Sequence, residues 1–196
     1  VAFELAKNGA KNILIYDGDI LEDENILRWA YGGIGKESNK ATTIQFLLNL
    51  LHPEIHIAGE SRNIDVEVLL EEISKRDLII FTIGNSDEQL KFNAALKKAN
   101  CSKPVLYVWL EEGGAYSHIL FTNYQKQGCF ECLYTDAQGN HVNNRARKNT
   151  DVSLEAGLIR NGCGGTRAAY GTAVILRTTV ALLDTIRDIV DQRITN

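Results

Sequence analysis

The chain has 196 residues, of which 44% are hydrophobic and 23% charged, an ordinary composition for a globular protein with a packed core. Its formal net charge is −4, so it lacks the basic excess of proteins that bind nucleic acid, and we expect no nucleic-acid partner. The longest apolar runs are strand-sized, which argues against a membrane-spanning helix and a membrane partner. No secretory signal opens the sequence, which favours a cytoplasmic protein.

Predicted strands and helices alternate through the first two thirds of the chain. Residues 1–8 are typical of a helix end that Asn8 and Gly9 close. Strands are then predicted at 12–16, 54–58, 77–83, 104–110 and 116–121, and helices at 37–51 (with Ser38 as its cap), 65–75 and 87–100. This alternation predicts an α/β fold with a Rossmann-like, doubly wound, mostly parallel sheet.

The pattern fades in the last third. Residues 122–165 predict a loop-rich excursion, polar and mobile around 136–151, and residues 167–194 predict one long helix. We therefore expect a single domain over 1–196 with a crossover loop at 122–165. Because the chain begins inside an apparent helix and contains no methionine, we also expect it to be part of a longer protein.

A set of polar residues follows the first strand. The triplet Asp-Gly-Asp at 17–19 places the Asp17 carboxylate where nucleotide-binding sheets hold ribose hydroxyls, although a solvated turn is the alternative. Asn25 and Arg28 come next, and Lys40 stands at a helix start. Arginine and lysine neutralise phosphates, which helix N-termini also favour. The order and spacing of these residues predict an ATP pocket.

The motifs together resemble the ThiF/MoeB/HesA family of ubiquitin-activating-like adenylation domains, in its bacterial branch. In chain order they are Asp17-x-Asp19, Asn25-x-x-Arg28, Gly35, Lys40-Ala41, Leu51-His52-Pro53, Asp77-Leu78-Ile79-Ile80-Phe81 to Asn85, Val108-Trp109-Leu110-Glu111, Cys129-x-x-Cys132, and Gly162-Cys163-Gly164 with Tyr170-Gly171. The resemblance spans essentially the whole chain. It implies that the family's glycine-rich phosphate loop would precede Val1.

The resemblance also implies a reaction. Family members use ATP and Mg to adenylate the C-terminal carboxylate of a small ubiquitin-like or sulfur-carrier protein, and they usually work as dimers, here expected as a homodimer. By this likeness Asp17 holds ribose, Arg28 and Lys40 contact phosphates, Asn25 lies beside them and Asp19 supports the site.

One departure concerns the metal. Gly84 stands where the family has a metal-binding Asp, while Asn85 is retained, so Mg would need Asp87 or bind mainly through phosphates and water. This departure supports an alternative function, a catalytically impaired partner subunit that serves as a protein-docking module. A nicotinamide-dependent dehydrogenase is a weaker alternative, because Arg28 with Lys40 does not fit it.

The cysteines leave several interpretations open. Cys129 and Cys132 fall where the family has a zinc pair, and Cys163 with His118, His141 or Cys101 could complete a tetrahedron. Cys163 is alternatively a nucleophile that accepts the acyl group as a thioester, since its neighbouring glycines leave the backbone open and a helix start near residue 166 would favour its thiolate. A buried turn cysteine is the third possibility. A conjugating-enzyme-like module is a candidate partner.

Overall fold

The computed structural model describes residues 1–26, 28–111, 114, 116–146, 158–160, 166–168 and 171–194, with backbone alone for 158–160 and 166–168. Its helices are α1 (Ala2–Lys7), α2 (Asp23–Ile26), α3 (Lys40–Leu51), α4 (Val66–Glu72), α5 (Ser86–Lys98) and α6 (Thr172–Val190), with short 3-10 helices at Ile73–Lys75 and Phe130–Leu133. Its strands are β1 (Asn12–Tyr16), β2 (His56–Glu60), β3 (Ile79–Phe81), β4 (Val105–Leu110), β5 (Ser117–Thr122), β6 (Leu158–Arg160) and β7 (Thr166–Ala168).

These elements form two compact units, Val1–Asp65 and Val66–Asn196. In the first unit β1 pairs in parallel with β2, from Asn12 opposite His56 to Tyr16 opposite Glu60. Parallel neighbours need a crossover, and α3 supplies it. The core of this unit consists of Ala6, Ile13, Leu48, Ile55 and Ile57. The expectation of a single domain over 1–196 stays a prediction.

In the second unit β3 pairs in parallel with β4, and β5 runs antiparallel on the other side of β4. One face of β4 packs Leu106 and Val108 against Leu182 of α6. On the other face Tyr107 stacks between Phe81 and Phe130, at centroid distances of 5.1 and 4.7 Å. Parallel strand pairs joined by helical crossovers, with a long C-terminal helix, confirm the predicted α/β class.

Two predicted helix starts were wrong. The helix predicted from residue 37 begins at Lys40, because Glu37 has a positive φ of 65° that an α-helix cannot accommodate. The last helix begins at Thr172, after Gly171 as its N-cap, and Thr166–Ala168 is instead a strand paired with Leu158–Arg160. Strand pairing has overridden the local helix propensity of the alanine-containing segment.

The segment over residues 123–146 is more ordered than its polar composition predicts. It contains the 3-10 helix Phe130–Leu133 and a bridge between Thr135 and His141. The Tyr134 hydroxyl donates to Ser86 Oγ at 3.0 Å, which ties the segment to the start of α5. None of the helices described here is long and apolar enough to cross a membrane.

Candidate nucleotide site

The Asp-Gly-Asp loop leaves the carboxyl end of β1 and is held in a defined shape. The Asp17 amide continues the ladder by donating to the Glu60 carbonyl at 3.2 Å. Asp17 Oδ1 then accepts the Asp19 amide at 2.9 Å. Gly18 donates its amide to Asn63 Oδ1 at 3.1 Å, and a Cβ at this position would lie only 2.9 Å from that oxygen. A side chain at position 18 would therefore have to displace the Asn63 side chain that accepts this bond.

Asn39 fastens the start of α3 to this loop. Its Nδ2 donates to the carbonyl oxygens of Asp17 and Asp19, at 2.7 and 3.1 Å. Its Oδ1 accepts the Thr42 amide at 3.1 Å, so Asn39 rather than Ser38 is the N-cap of α3. One side chain therefore joins the β1 loop to the N-terminus of the helix that carries Lys40.

Lys40 and Asp19 form an ion pair across this junction. Lys40 Nζ lies 2.9 Å from Asp19 Oδ2, and the Lys40 side chain is 18% exposed against 71% for Asp19. The Lys40 amide also donates to the Asp19 carbonyl at 2.9 Å. The buried stem and the two bonds fix the ammonium at the helix N-terminus, beside the Asp17 loop. The structure thus brings Asp17, Asp19 and Lys40 together, and their role toward a nucleotide stays a prediction.

The Asp17 carboxyl group is partly buried, and this burial disfavours its charged form. Burial raises the pKa of Asp17, while its hydrogen bond from the Asp19 amide and the charge of Lys40 act in the opposite direction. Burial of a carboxylate disfavours its charged form. Ionisable groups shifted in this way cluster at functional sites, which supports a binding role for Asp17.

Asn25 and Arg28 lie in the segment between the loop and α3. Asn25 is in α2, and its Oδ1 accepts the Glu22 amide at 3.2 Å. Arg28 follows α2, and its amide donates to the Asn25 carbonyl at 3.0 Å. A hydrogen bond from the Leu21 amide to the Ser38 carbonyl, at 2.9 Å, joins the two ends of this segment just before α3. Asn25 therefore stabilises its own turn, and its role toward a nucleotide stays a prediction.

Sequence reasoning missed two residues of this site. Asn39 was not recognised as the cap, although Asn is a preferred N-cap and directly precedes Lys40. Asn63 gave no local signal, because its partner Gly18 lies 45 residues earlier in the chain. Only the parallel pairing of β1 and β2 brings the two loops together.

The capping assignment can be tested by stability measurements. We expect Asn39→Ala to lower the free energy of unfolding by about 2 kcal/mol, because it removes a helix cap and the side-chain donor to the Asp17 carbonyl, while the Asp19 carbonyl keeps only the Lys40 amide. Asn39→Ser keeps a cap oxygen for the Thr42 amide but loses the Nδ2 donor, so its loss should be smaller. Ser38→Ala is the matched control and should change stability by less than about 0.5 kcal/mol. Urea denaturation measures all three, and a larger loss for Ser38→Ala would contradict the assignment.

Asn85 lies in the second unit, between β3 and α5. Its Oδ1 accepts the amides of Asp87 and Glu88, at 2.9 and 3.1 Å, and so caps α5. The group that it can offer a ligand is therefore its Nδ2. Nothing lies within 4 Å of a Cβ built on the preceding Gly84, so an Asp side chain would fit there.

Cys129 is the N-cap of the short 3-10 helix Phe130–Leu133 and Cys132 lies within that helix, with their sulfur atoms 3.8 Å apart. Burial raises the pKa of the Cys129 thiol, whereas Cys132 is exposed. Two thiolates on one tetrahedral zinc, each about 2.3 Å from it, are separated by about 3.8 Å, so the pair fits half of such a site. Among the described residues, no third His, Cys, Asp or Glu side chain joins them to form a metal site.

Cys163 lies outside the described residues, between β6 and β7 in the sequence. The next described helix, α6, begins at Thr172. The expected helix start near residue 166 is therefore absent, since Thr166–Ala168 is a strand, and it cannot favour a Cys163 thiolate. Cys101, a candidate zinc ligand in the sequence, is buried, and its thiol lies 3.8 Å from the Lys103 carbonyl oxygen.

Residues 1–191 match the ThiF family, and this match covers nearly all of the chain. The chain belongs to the ThiF family. This assignment confirms the resemblance that the motifs around Asp17, Arg28 and Lys40 indicate. No curated protein matches the chain in sequence.

Solved structures agree with the ThiF-family fold. E. coli MccB with succinimide has a TM-score of 0.65 and 18% identity, covering 94% of this chain and 50% of that one. MccB with ATP has a TM-score of 0.55 and 23% identity over 67% and 38% of the two chains. MccB with MccA-N7isoASN has a TM-score of 0.61 and 18% identity over 95% and 51%. This ThiF-family chain thus spans about half the length of MccB or less, and the likeness concerns the fold.

Proposed function

We propose that the protein uses ATP to adenylate the C-terminal carboxylate of a small ubiquitin-like or sulfur-carrier protein. The observation that carries the proposal is the Asp17 loop, fastened through Asn39 to the helix start that holds Lys40, in a chain of the ThiF family. MccB, which shares the fold, has been crystallised with ATP and separately with MccA-N7isoASN, and this supports a nucleotide and a peptide-like substrate.

The roles follow from the chemistry of each group. The Asp17 carboxylate accepts hydrogen bonds from ribose hydroxyls. Lys40 and Arg28 neutralise the phosphates, and Asp19 keeps the Lys40 ammonium in place until the nucleotide arrives. The carrier carboxylate attacks the α-phosphorus, an acyl-adenylate forms, and pyrophosphate leaves. Positive charge fixed in advance stabilises the leaving pyrophosphate without a reorganisation cost.

Mg is part of the proposal. Because Oδ1 of Asn85 caps α5 and residue 84 is glycine, the metal would be held mainly by phosphate oxygens and water, with Asp87 as a further candidate. When bound, Mg would neutralise the charge of the phosphates. Asn85 stays a predicted cofactor-binding residue, and its Nδ2 is the group that it could offer.

Two further elements concern the cysteines. Zinc at Cys129 and Cys132 would stabilise the segment structurally, and the 3.8 Å separation of the sulfur atoms supports it. Cys163 would supply the remaining thiolate or accept the acyl group as a thioester. A cytoplasmic homodimer that passes the carrier to a conjugating-enzyme-like module completes the proposed function.

A specific observation favours one alternative. Gly84 stands where the family has a metal-binding carboxylate. Its absence favours the alternative of a catalytically impaired partner subunit that uses the same fold to dock a protein. ATP–pyrophosphate exchange separates the two functions. The full-length protein is assayed with a panel of synthetic peptides that differ in the C-terminal residue, and each peptide has its carboxamide as control. Exchange with a free carboxylate and none with its amide supports the enzyme, whereas no exchange with any peptide supports the docking subunit.

Gly84→Asp tests how Mg is bound. We expect the variant to fold with stability within about 0.5 kcal/mol of the wild type, because the new side chain enters open space. A carboxylate there should lower the Mg concentration that gives half-maximal exchange. Gly84→Asn is the matched uncharged control and should leave that concentration unchanged. Equal Mg dependence in the wild type and Gly84→Asp would contradict a metal position at residue 84.

A further inference from the structure

One face of α5 holds the segment that carries the cysteine pair. Ser86, Asn93 and Lys97 are spaced by about two turns and one turn of this helix, so they lie on the same side of it. The Ser86 hydroxyl accepts from Tyr134 at 3.0 Å, and Lys97 Nζ lies 3.0 Å from Glu131 Oε2. Both of these bonds are exposed. Asn93 stands between them along the helix and is only 1% exposed, so it meets the interior of the same contact.

The orientation of the Asn93 amide follows from its partners. Its Oδ1 accepts the Phe130 amide at 3.0 Å, and a backbone N–H can only donate. The same oxygen accepts the Tyr124 hydroxyl at 3.0 Å, and the Tyr107 hydroxyl lies 2.7 Å from that of Tyr124. Since Tyr124 gives its proton to Asn93, Tyr107 donates to Tyr124. The amide oxygen is thus fixed by two donors, and the amide nitrogen faces Cys129.

This nitrogen is aimed at sulfur. Asn93 Nδ2 donates to Cys129 Sγ at 3.8 Å, in the interior of the unit. A thiol sulfur is a weak acceptor, so the buried N–H gains little from it, although buried donors normally have a good partner. A metal-bound thiolate carries negative charge and accepts a stronger hydrogen bond. The buried amide is therefore better satisfied with a metal on Cys129 than without one.

We propose that Asn93 is the positioning residue of the zinc site at Cys129 and Cys132, donating through Nδ2 to the metal-bound sulfur of Cys129; this rests on the zinc element of the proposed function. The hydrogen bond holds the Cys129 sulfur 3.8 Å from that of Cys132, a separation that suits two ligands of one tetrahedral zinc. It also stabilises the charge of the buried thiolate. Asn93 thus prepares the buried half of the pair, while Cys132 is exposed.

Zinc affinity separates this role from a purely structural one. Asn93→Leu in the full-length protein removes the donor, keeps the side-chain volume and offers no metal ligand. We expect zinc binding, measured by competition with a chromophoric chelator, to weaken by about 10- to 100-fold, the usual effect of losing a hydrogen bond to a metal ligand. Tyr124→Phe is the matched control, because it removes a bond to the same amide but keeps Nδ2 on the sulfur, and its affinity should be close to wild type. Equal losses in the two variants would overturn the proposal.

Cobalt in place of zinc gives a readout that a structural role does not move. Without the N–H donor the sulfur lone pair rises in energy, so the sulfur-to-cobalt charge-transfer band of Asn93→Leu should shift to longer wavelength rather than only weaken. Tyr124→Phe should keep the band at the wild-type position. An unshifted band in Asn93→Leu contradicts the proposal. A wild-type band that persists unchanged in Cys129→Ser places the metal elsewhere and overturns it as well.

A measurement on the wild type needs no variant and covers the case in which Asn93→Leu does not fold. The full-length protein is labelled with nitrogen-15 and loaded with cadmium-113, without ATP or peptide. An amide proton that bonds to a metal-bound sulfur shows scalar coupling to the cadmium nucleus, and we expect this coupling at the Asn93 side-chain amide. Bound cadmium without the coupling, or no binding of zinc or cadmium at all, overturns the proposal. Pyrophosphate exchange is measured separately, so adenylation can stand when the zinc site fails.

Discussion

Replacing Asp17 with Asn is expected to abolish ATP binding by the full-length protein while leaving the fold at least as stable. Asn keeps the size of the side chain and can still accept the Asp19 amide, so the loop geometry should survive. It loses the charged carboxylate, which is the proposed acceptor of hydrogen bonds from both ribose hydroxyls. Calorimetric titration with ATP measures the loss, and Asp23→Asn, which changes only an exposed ion pair with Lys36, is the control that should bind normally.

The same variant should also change how stability depends on pH. Burial raises the pKa of Asp17, so the folded state holds this proton more tightly than the unfolded chain does. The resulting stabilisation is complete below the unfolded-state pKa of about 4 and is lost as the pH rises through the folded-state value. Asp17→Asn removes that loss. The melting temperature of Asp17→Asn minus that of the wild type should therefore be larger at pH 7 than at pH 3. A smaller difference at pH 7 would contradict the burial argument.

Gly59→Ala is expected to cause the largest loss of stability in the first unit. Gly59 lies in β2 where α3 crosses it, and a Cβ would stand 2.4 Å from the Ala41 carbonyl oxygen. The obstacle is backbone rather than a flexible side chain, so α3 has to move. The Gly59 amide also donates to Gln45 Oε1 at 3.0 Å, and this bond would be strained. We expect a loss of about 3 kcal/mol, the upper end of overpacking costs.

Gly33→Ala is the matched control, because nothing lies within 4 Å of a Cβ at that position. It should change the free energy of unfolding by less than about 0.5 kcal/mol. Because α3 begins at Asn39 and Lys40, its displacement in Gly59→Ala should also weaken ATP binding in whatever fraction remains folded. Equal urea midpoints for the two variants would show that α3 does not pack on β2 as described.

The residues near β1 show how far the sequence can predict this site. The strand over 12–16 was predicted correctly because a buried apolar run ends at a turn-forming Asp-Gly-Asp triplet. The start of α3 was predicted three residues too early, because the positive φ of Glu37 depends on the path of the whole segment from residue 21. The choice of Asn39 as cap likewise depends on its bonds to the β1 loop, which are tertiary contacts.

The C-terminal third was predicted less well for a related reason. Thr166–Ala168 carries no strong strand signal, and its conformation comes from pairing with Leu158–Arg160. In the sequence Trp109 belonged to a family motif and His118 was a candidate zinc ligand, whereas the structure stacks the two rings at a centroid distance of 4.6 Å.

The most direct test of adenylation follows one oxygen atom. A peptide that supports exchange is labelled with oxygen-18 in its C-terminal carboxylate and incubated with the full-length protein, ATP, Mg and hydroxylamine as acyl acceptor. Attack of the carboxylate on the α-phosphorus leaves one labelled oxygen on AMP after the acyl group departs. We predict AMP carrying a single oxygen-18 by mass spectrometry, and none with Asp17→Asn. Unlabelled AMP from the wild type, or ADP in its place, would contradict the proposed function.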